Sequence, residues 1–234
     1  MTYKKAFTLA EVLITLGIIG VVAAMTIPNL IANNKAKRLR SQFLKSYSTI
    51  QQVFRQMEAD DVSLNPVDYK RNTSNGEFYK TFMKYLQSPF DCGSSAGGNK
   101  KRTLPCYDAN LTSTMSPYKN FGGQNSAPYS IFDDGQIALP DGTLLLFENN
   151  SGNNFIWVHV DLNGYNNPPN RWGYDLFTFQ FLDEELRTMG DKGTSYNVKT
   201  HCNINNTNNY NGIACAHRAK TEPDYFEWVV KNLK

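Results

Sequence analysis

The chain has 234 residues, a formal net charge of +3 at pH 7 and four cysteines. This length supports one or two domains, and the mild positive charge does not indicate a nucleic-acid-binding protein. Mean hydropathy is −0.48 although the N-terminal segment is strongly apolar, so the remaining sequence is polar and typical of one loop-rich, secreted domain.

The N-terminal segment combines a short basic start with a long apolar run. Lys4 and Lys5 precede a small residue, and between Phe7 and Ala32 the only ionisable side chain is Glu11. A run of about 20 apolar residues can cross a bilayer as a helix, and it is longer than the apolar core of a signal peptide. A carboxylate inside such a run costs about 2.5–3.5 kcal/mol on insertion scales, so we expect it to have a function.

The sequence Ala6-Phe7-Thr8-Leu9-Ala10-Glu11 and the apolar run through Pro28 resemble the N terminus of type IV pilins and type II secretion pseudopilins. The resemblance implies that a prepilin peptidase cuts between Ala6 and Phe7 and then methylates the new amine of Phe7. It also implies an assembly role for Glu11 and a helix bend at Pro28. Ala6 departs from the family's usual glycine before the cut, which implies slower processing.

The charge at Glu11 also has an explanation that does not depend on the resemblance. Cleavage would give Phe7 a positive amine at the positive end of a helix. A neighbouring chain, shifted along the axis, could place its own Glu11 beside that amine. Because either charge alone is penalised in lipid, such a pair would fix the register between subunits. The alternative is a plain membrane anchor whose carboxylate reaches the lipid–water interface.

Basic residues flank the apolar run on both sides. Those after the run outnumber those before it, which alone favours a cytoplasmic C-terminal side. The cysteines and the resemblance favour the opposite orientation, with a cytoplasmic N terminus and a periplasmic head. We therefore expect a single-pass inner-membrane protein that later enters a periplasmic or extracellular filament.

The helix is predicted to continue beyond the apolar run. Large apolar residues recur every three or four positions on one face: Leu39, Phe43, Tyr47, Ile50, Phe54 and Met57. This spacing predicts an amphipathic half that packs on a globular head and ends near Asp60-Asp61. The expected divisions are a leader (1–6), a transmembrane and assembly half (7–32), an amphipathic half (33–60) and a globular head (61–234).

The head is predicted to be mainly an antiparallel β-sheet. Residues 78–86 favour a short helix, and the composition of residues 92–128 indicates loop. Alternating apolar residues and Gly-containing turns predict strands near residues 136–139, 143–147, 155–162 and 174–182, with a last strand near 224–230. A long N-terminal helix packed on this sheet gives an α+β fold, which the resemblance also implies.

Four cysteines beyond a translocation signal indicate disulfides in an oxidising compartment. Three pairings are possible, and we predict the two local ones, Cys92–Cys106 and Cys202–Cys215. The alternative for the second group is a zinc site completed by His201 and His217. Its spacing does not match the usual structural zinc sites.

The segment Asp161-Leu162-Asn163-Gly164, followed by Asp175, links two predicted strands. We predict a hydrogen-bonded Asx turn. The alternative is a calcium ion bound by Asp161, Asn163 and Asp175, although the EF-hand pattern is not met. No other cofactor is predicted.

No catalytic pattern accompanies these features, since the three histidines fall in no recognisable triad, and we do not expect an enzyme. The resemblance implies a structural pilin-like subunit, a minor pilin or pseudopilin, of a type IV pilus or type II secretion filament. Its implied partners are other pilin-like subunits, the prepilin peptidase, an inner-membrane assembly platform and the lipid bilayer. The alternative is a membrane-anchored adhesin or DNA-uptake protein, although nucleic acid is not an expected partner.

Overall fold

The computed structural model describes residues 8–69, 77–94, 105–106, 115–149 and 155–233. The helices of these residues are α1 (Leu9–Ala59), α2 (Phe78–Met83), α3 (Val198–His201), α4 (Cys215–Thr221) and α5 (Tyr225–Asn232), with 3-10 turns at Pro66–Tyr69 and Tyr129–Ile131. The strands are β1 (Phe90–Gly93), β2 (Met115–Lys119), β3 (Ser126–Pro128), β4 (Gly135–Ala138), β5 (Leu144–Glu148), β6 (Ile156–Asp161), β7 (Leu176–Leu182) and β8 (Glu185–Thr188). The predicted α+β class is confirmed.

Helix α1 is continuous over 51 residues, through Pro28 and the following Asn33-Asn34. Thr8 caps its start, and it ends where Asp60 donates its backbone N–H to Gln56 O. The end near Asp60-Asp61 is therefore confirmed. The helical backbone is kept on both sides of Pro28, so the helix does not melt there, and a bend at this proline stays a prediction.

The two halves of α1 have different surroundings. The large apolar side chains of the first half are exposed, whereas those on one face of the second half are buried against the head. The buried face consists of Ala36, Leu39, Phe43, Ser46, Ile50, Val53, Phe54 and Met57. The predicted amphipathic face is confirmed, because the spacing of three and four residues places these side chains on one side of the helix.

The main sheet has six strands in the order β1-β4-β5-β6-β7-β8, and every neighbouring pair is antiparallel. Strands β4 to β8 follow each other along the chain, as the predicted meander requires. The turn between β4 and β5 contains Gly142 at a φ of 89°, and Thr143 donates its backbone N–H to the Asp141 carboxylate. Glycine adopts this left-handed backbone without steric cost.

Helix α1 covers one face of the sheet mainly through aromatic contacts. Phe54 stacks on Phe181 with ring centroids 4.4 Å apart, and Phe43 meets Phe177 edge to face at 4.9 Å. The opposite face of the sheet carries a second apolar cluster that includes Leu144, Leu146 and Trp172. Both faces are therefore buried, and polar strand residues such as Gln136, His159 and Thr178 are buried with them.

Three predictions for the head need correction. The predicted strand at 224–230 is wrong, because this segment forms helix α5 and buries Tyr225, Phe226 and Val229 at helical spacing. The loop prediction for 92–128 is wrong in part, because β2, β3 and the end of β1 fall in it. Strand β8 was not predicted; it follows a tight turn in which Asp183 and Glu184 both have positive φ.

Candidate functional site

The first half of α1 is a long apolar surface that the described part of the chain does not cover. Its most apolar stretch has a mean hydropathy of 2.2, and none of that stretch is buried. Residues 9–31 extend about 34 Å as a helix, enough for the bilayer's hydrocarbon core of about 30 Å. The helix is therefore long and apolar enough to span a membrane. An apolar surface of this size indicates burial in lipid or against other proteins.

Glu11 lies in the first turn of this helix and forms a capping box with Thr8. Its Oε2 accepts hydrogen bonds from the Thr8 backbone N–H at 2.8 Å and from the Thr8 hydroxyl at 2.9 Å. In return, the Glu11 backbone N–H donates to Thr8 Oγ1 at 3.3 Å. The box satisfies backbone donors that a helix start leaves unpaired. Within the described segment starting at residue 8, no donor reaches Glu11 Oε1.

Ala6 and Phe7 lie outside the described residues. Cleavage between them and methylation of Phe7 therefore stay predictions.

Basic residues just beyond the apolar half attach α1 to the head. Lys35 Nζ lies 4.9 Å from the centre of the Tyr174 ring, and Arg40 donates to the backbone oxygen of Pro223 at 2.7 Å. These contacts are favourable cation–π and charge-assisted interactions. They place the start of the head immediately after the apolar half of the helix.

Both local disulfides are present, Cys92–Cys106 and Cys202–Cys215. The second joins the end of α3 to the start of α4, and both of its cysteines are buried. The zinc alternative is therefore wrong, since neither sulfur is a thiolate available to a metal. The two neighbouring histidines have other contacts: His201 meets the Tyr196 ring at 4.6 Å, and His217 contacts Asp191.

The loop between β6 and β7 is built on two buried aspartates. Asp161 Oδ1 accepts the backbone N–H groups of Asn163 and Gly164, at 3.3 and 3.0 Å. Asp161 Oδ2 accepts the Tyr118 hydroxyl at 2.9 Å. The first pair of bonds forms the predicted Asx turn. The bond from Tyr118 ties the loop to β2, and this contact was not predicted.

Asp175 closes the other end of this loop. Its two carboxylate oxygens accept the backbone N–H groups of Arg171, at 2.6 Å, and Asn170, at 3.0 Å. Burial raises the pKa of both Asp161 and Asp175, and the charge of Asp175 adds to the effect on Asp161. The chain's own donors already contact all four carboxylate oxygens, so the geometry favours the hydrogen-bonded loop. Calcium binding by Asp161, Asn163 and Asp175 stays a prediction.

The third histidine and most of the large aromatic side chains near the end of the chain belong to the core. His159 is fully buried on the sheet, its Nδ1 lies 2.9 Å from Thr178 Oγ1, and burial lowers its pKa to about 3. Trp172, Tyr225 and Phe226 are also buried, whereas Trp228 is exposed. These aromatic side chains stabilise the head rather than form a continuous binding surface.

Residues 1–27 match the prokaryotic N-terminal methylation motif. The match ends within the first half of α1 and does not reach the head. No curated protein and no solved structure is significantly similar to the chain.

Proposed function

The N terminus of this chain carries the prepilin motif of type IV pilins and pseudopilins, and from it we propose that the protein is a pilin-like structural subunit of a filament. The observation that carries the proposal is the division of α1, whose first half is apolar and exposed while its second half is held in the head. In the bilayer, lipid covers the first half. In a filament, the same surface packs against the first halves of other subunits.

The proposed route to the filament begins with processing. The prepilin peptidase removes residues 1–6 and methylates Phe7, after which an inner-membrane assembly platform extracts the subunit from the bilayer. The N terminus faces the cytoplasm and the head faces the periplasm, where the disulfides form. We assign the subunit to the minor pilins or pseudopilins of a type IV pilus or type II secretion filament, and we propose no catalytic activity.

Glu11 is the residue that we propose sets the register. Its carboxylate pairs with the Phe7 amine of a neighbouring subunit and neutralises a charge that would otherwise be buried among apolar helices. The capping box leaves Glu11 Oε1 available for this pairing, because both bonds from Thr8 go to Oε2.

The test is Glu11→Ala in the full chain, expressed with its assembly system. We expect normal amounts of protein in the membrane fraction and no incorporation into sheared filaments. Glu58→Ala is the matched control, because Glu58 is an exposed carboxylate on the same helix outside the apolar half. Thr8→Ala removes only the side-chain part of the capping box, at about 1 kcal/mol, and should reduce incorporation far less than Glu11→Ala. Normal filaments containing the Glu11→Ala protein would refute the assembly role.

The alternative of an adhesin or DNA-uptake protein with the same anchor requires an exposed aromatic or basic surface on the head. The large aromatic residues Trp172, Tyr174, Tyr225 and Phe226 of the head are buried. We therefore do not adopt it.

A further inference from the structure

A group of acidic side chains lies at the open end of the β4–β5 hairpin. Asp133 and Asp134 directly precede β4, and Glu148 is the last residue of β5. One carboxylate oxygen from each of the three lies within 4.8 Å of the other two. The group is separate from the Asp161 loop, because Asp161 pairs with Leu144 at the other end of β5, about 13 Å away along the strand.

The backbone fixes this group in place. Asp134 donates its N–H to Phe147 O at 3.2 Å, next to the pairing of Gly135 with Phe147. The Asn149 N–H donates to Asp134 Oδ2 at 2.8 Å. The carboxylates are therefore brought together by the register of β4 and β5 and not by flexible surface side chains.

A second observation indicates that the group has a ligand. Glu148 is only 5% exposed, and its buried Oε2 has no hydrogen-bond partner among the described residues. The Oδ1 atom of the next residue, Asn149, is also buried, and no described residue bonds to it. A buried polar oxygen that loses water without gaining a partner costs free energy, so such atoms normally contact a donor or a cation. Here the oxygen of Glu148 belongs to a carboxyl group directed at two other carboxylates.

The geometry favours a cation. Three carboxylates with oxygens within 4.8 Å of one another repel, and a bound cation would offset that repulsion. Asp133 and Asp134 are only partly buried, which gives an ion a path from solvent.

We propose that Asp133, Asp134 and Glu148 bind a Ca²⁺ ion at the open end of the β4–β5 hairpin. Three carboxylates form an all-oxygen donor set. Such a set is typical of sites for hard cations rather than for zinc. Calcium accepts six to eight oxygen ligands in flexible geometry, so water molecules complete its coordination. The ion would hold the start of β4 to the end of β5.

The experiment uses the purified full chain in detergent after removal of divalent ions with a chelator. Terbium(III) replaces calcium as a luminescent probe, and it is excited through tryptophan, since Trp157 pairs with Glu148 across β5 and β6. We expect Tb³⁺ luminescence that Ca²⁺ displaces, and a rise in Tm on addition of Ca²⁺. Glu148→Gln keeps the side-chain shape and should weaken Tb³⁺ and Ca²⁺ binding at least about tenfold. Its Tm without metal should not fall, which excludes misfolding as the cause.

Two further variants locate the ion. Glu185→Gln removes an exposed carboxylate on β8 and should leave binding unchanged. Asp161→Asn alters the other acidic loop and should also retain Tb³⁺ binding. The proposal is overturned if the wild-type chain binds neither ion, or if Glu148→Gln binds Tb³⁺ and Ca²⁺ as the wild type does. It is equally overturned if binding is lost in Asp161→Asn but kept in Glu148→Gln. None of these results depends on filament assembly.

Discussion

Replacing Phe43 by alanine should release the second half of α1 from the head. The Phe43 ring is fully buried and contacts three others: Phe177 at 4.9 Å, Phe179 at 5.6 Å and Phe226 at 5.8 Å. Two of these belong to β7 and the third to α5. Phe43 therefore joins the helix, the sheet and the last helix at one point.

The magnitude follows from burial and the ring contacts. Truncating a buried phenylalanine to alanine costs about 3–5 kcal/mol, and aromatic pairs contribute about 0.5–1.5 kcal/mol each beyond burial. Because Phe43 has three such pairs, we expect a loss near the upper end, about 4–5 kcal/mol. Phe43→Leu keeps most of the apolar volume and should cost about 1–1.5 kcal/mol. The control is Leu44→Ala, because Leu44 is 45% exposed and its loss should stay within about 0.5 kcal/mol.

The assay is urea unfolding of the full chain in detergent, followed by tryptophan fluorescence, which reports the buried Trp172 in the head. The expected order of unfolding free energies is wild type and Leu44→Ala highest, then Phe43→Leu, then Phe43→Ala. If Phe43→Ala were as stable as Leu44→Ala, the helix would not be docked through this residue, and the division of α1 into an exposed and a docked half would be refuted.

Three further predictions concern the disulfides, the acidic group and the N terminus. Replacing both Cys202 and Cys215 by serine opens a crosslink between residues 13 apart and should cost about 3 kcal/mol by chain entropy, measured by urea unfolding; a loss below about 1 kcal/mol would contradict this. Without divalent ions, burial raises the pKa of the Glu148 carboxyl in the folded state from its ordinary value of 4.5 to about 9. The folded state therefore holds the proton more tightly, and the unfolding free energy should fall as pH rises from 5 to 8, by up to about 1.4 kcal/mol per pH unit. Glu148→Gln should flatten this slope, and an equal slope in both proteins would exclude Glu148 as its source. Finally, the intact mass of membrane-extracted protein should show the loss of residues 1–6 and one added methyl group on Phe7, whereas an unmodified Met1 end would contradict processing.

Long, regular patterns made much of the fold predictable. The face of α1 repeats over several turns, so Leu39, Phe43 and Phe54 could be assigned to the core from spacing alone. Strands β4 to β7 alternate or form short apolar runs between Gly-containing turns, such as the one at Gly142. The helical spacing and the strand pattern are both local, and each extends over enough residues to distinguish helix from strand.

Secondary structure was predicted wrongly or missed where the sequence pattern is short or unusual. Residues 224–230 are rich in aromatic and β-branched side chains, which favour strands, but they form a helix whose Phe226 packs on Phe43 of α1. Strand β8 was missed because Asp183-Glu184 is not one of the usual Asn-Gly or Asp-Gly hairpin turns.

The candidate sites were predictable only where their residues are close in sequence. The Asx turn at Asp161 lies within four residues and was predicted. Its bond from Tyr118 and the group formed by Asp133, Asp134 and Glu148 depend on strand pairing. The register between paired strands cannot be read directly from the sequence. Residues 14 or more positions apart could therefore not be assigned to one site.

The contact between α1 and α5 has a consequence for biogenesis. Arg40 bonds to the backbone of Pro223, 183 residues later in the chain, and the face of α1 that receives Phe226 is made long before α5 exists. A ribosome adds about 5–20 residues per second, so this face of α1 stays uncovered by α5 for roughly ten seconds or more. A subunit whose synthesis stops before residue 225 would expose that apolar face to proteases and chaperones. A finished subunit thus differs from an unfinished one in that α5 covers this apolar face.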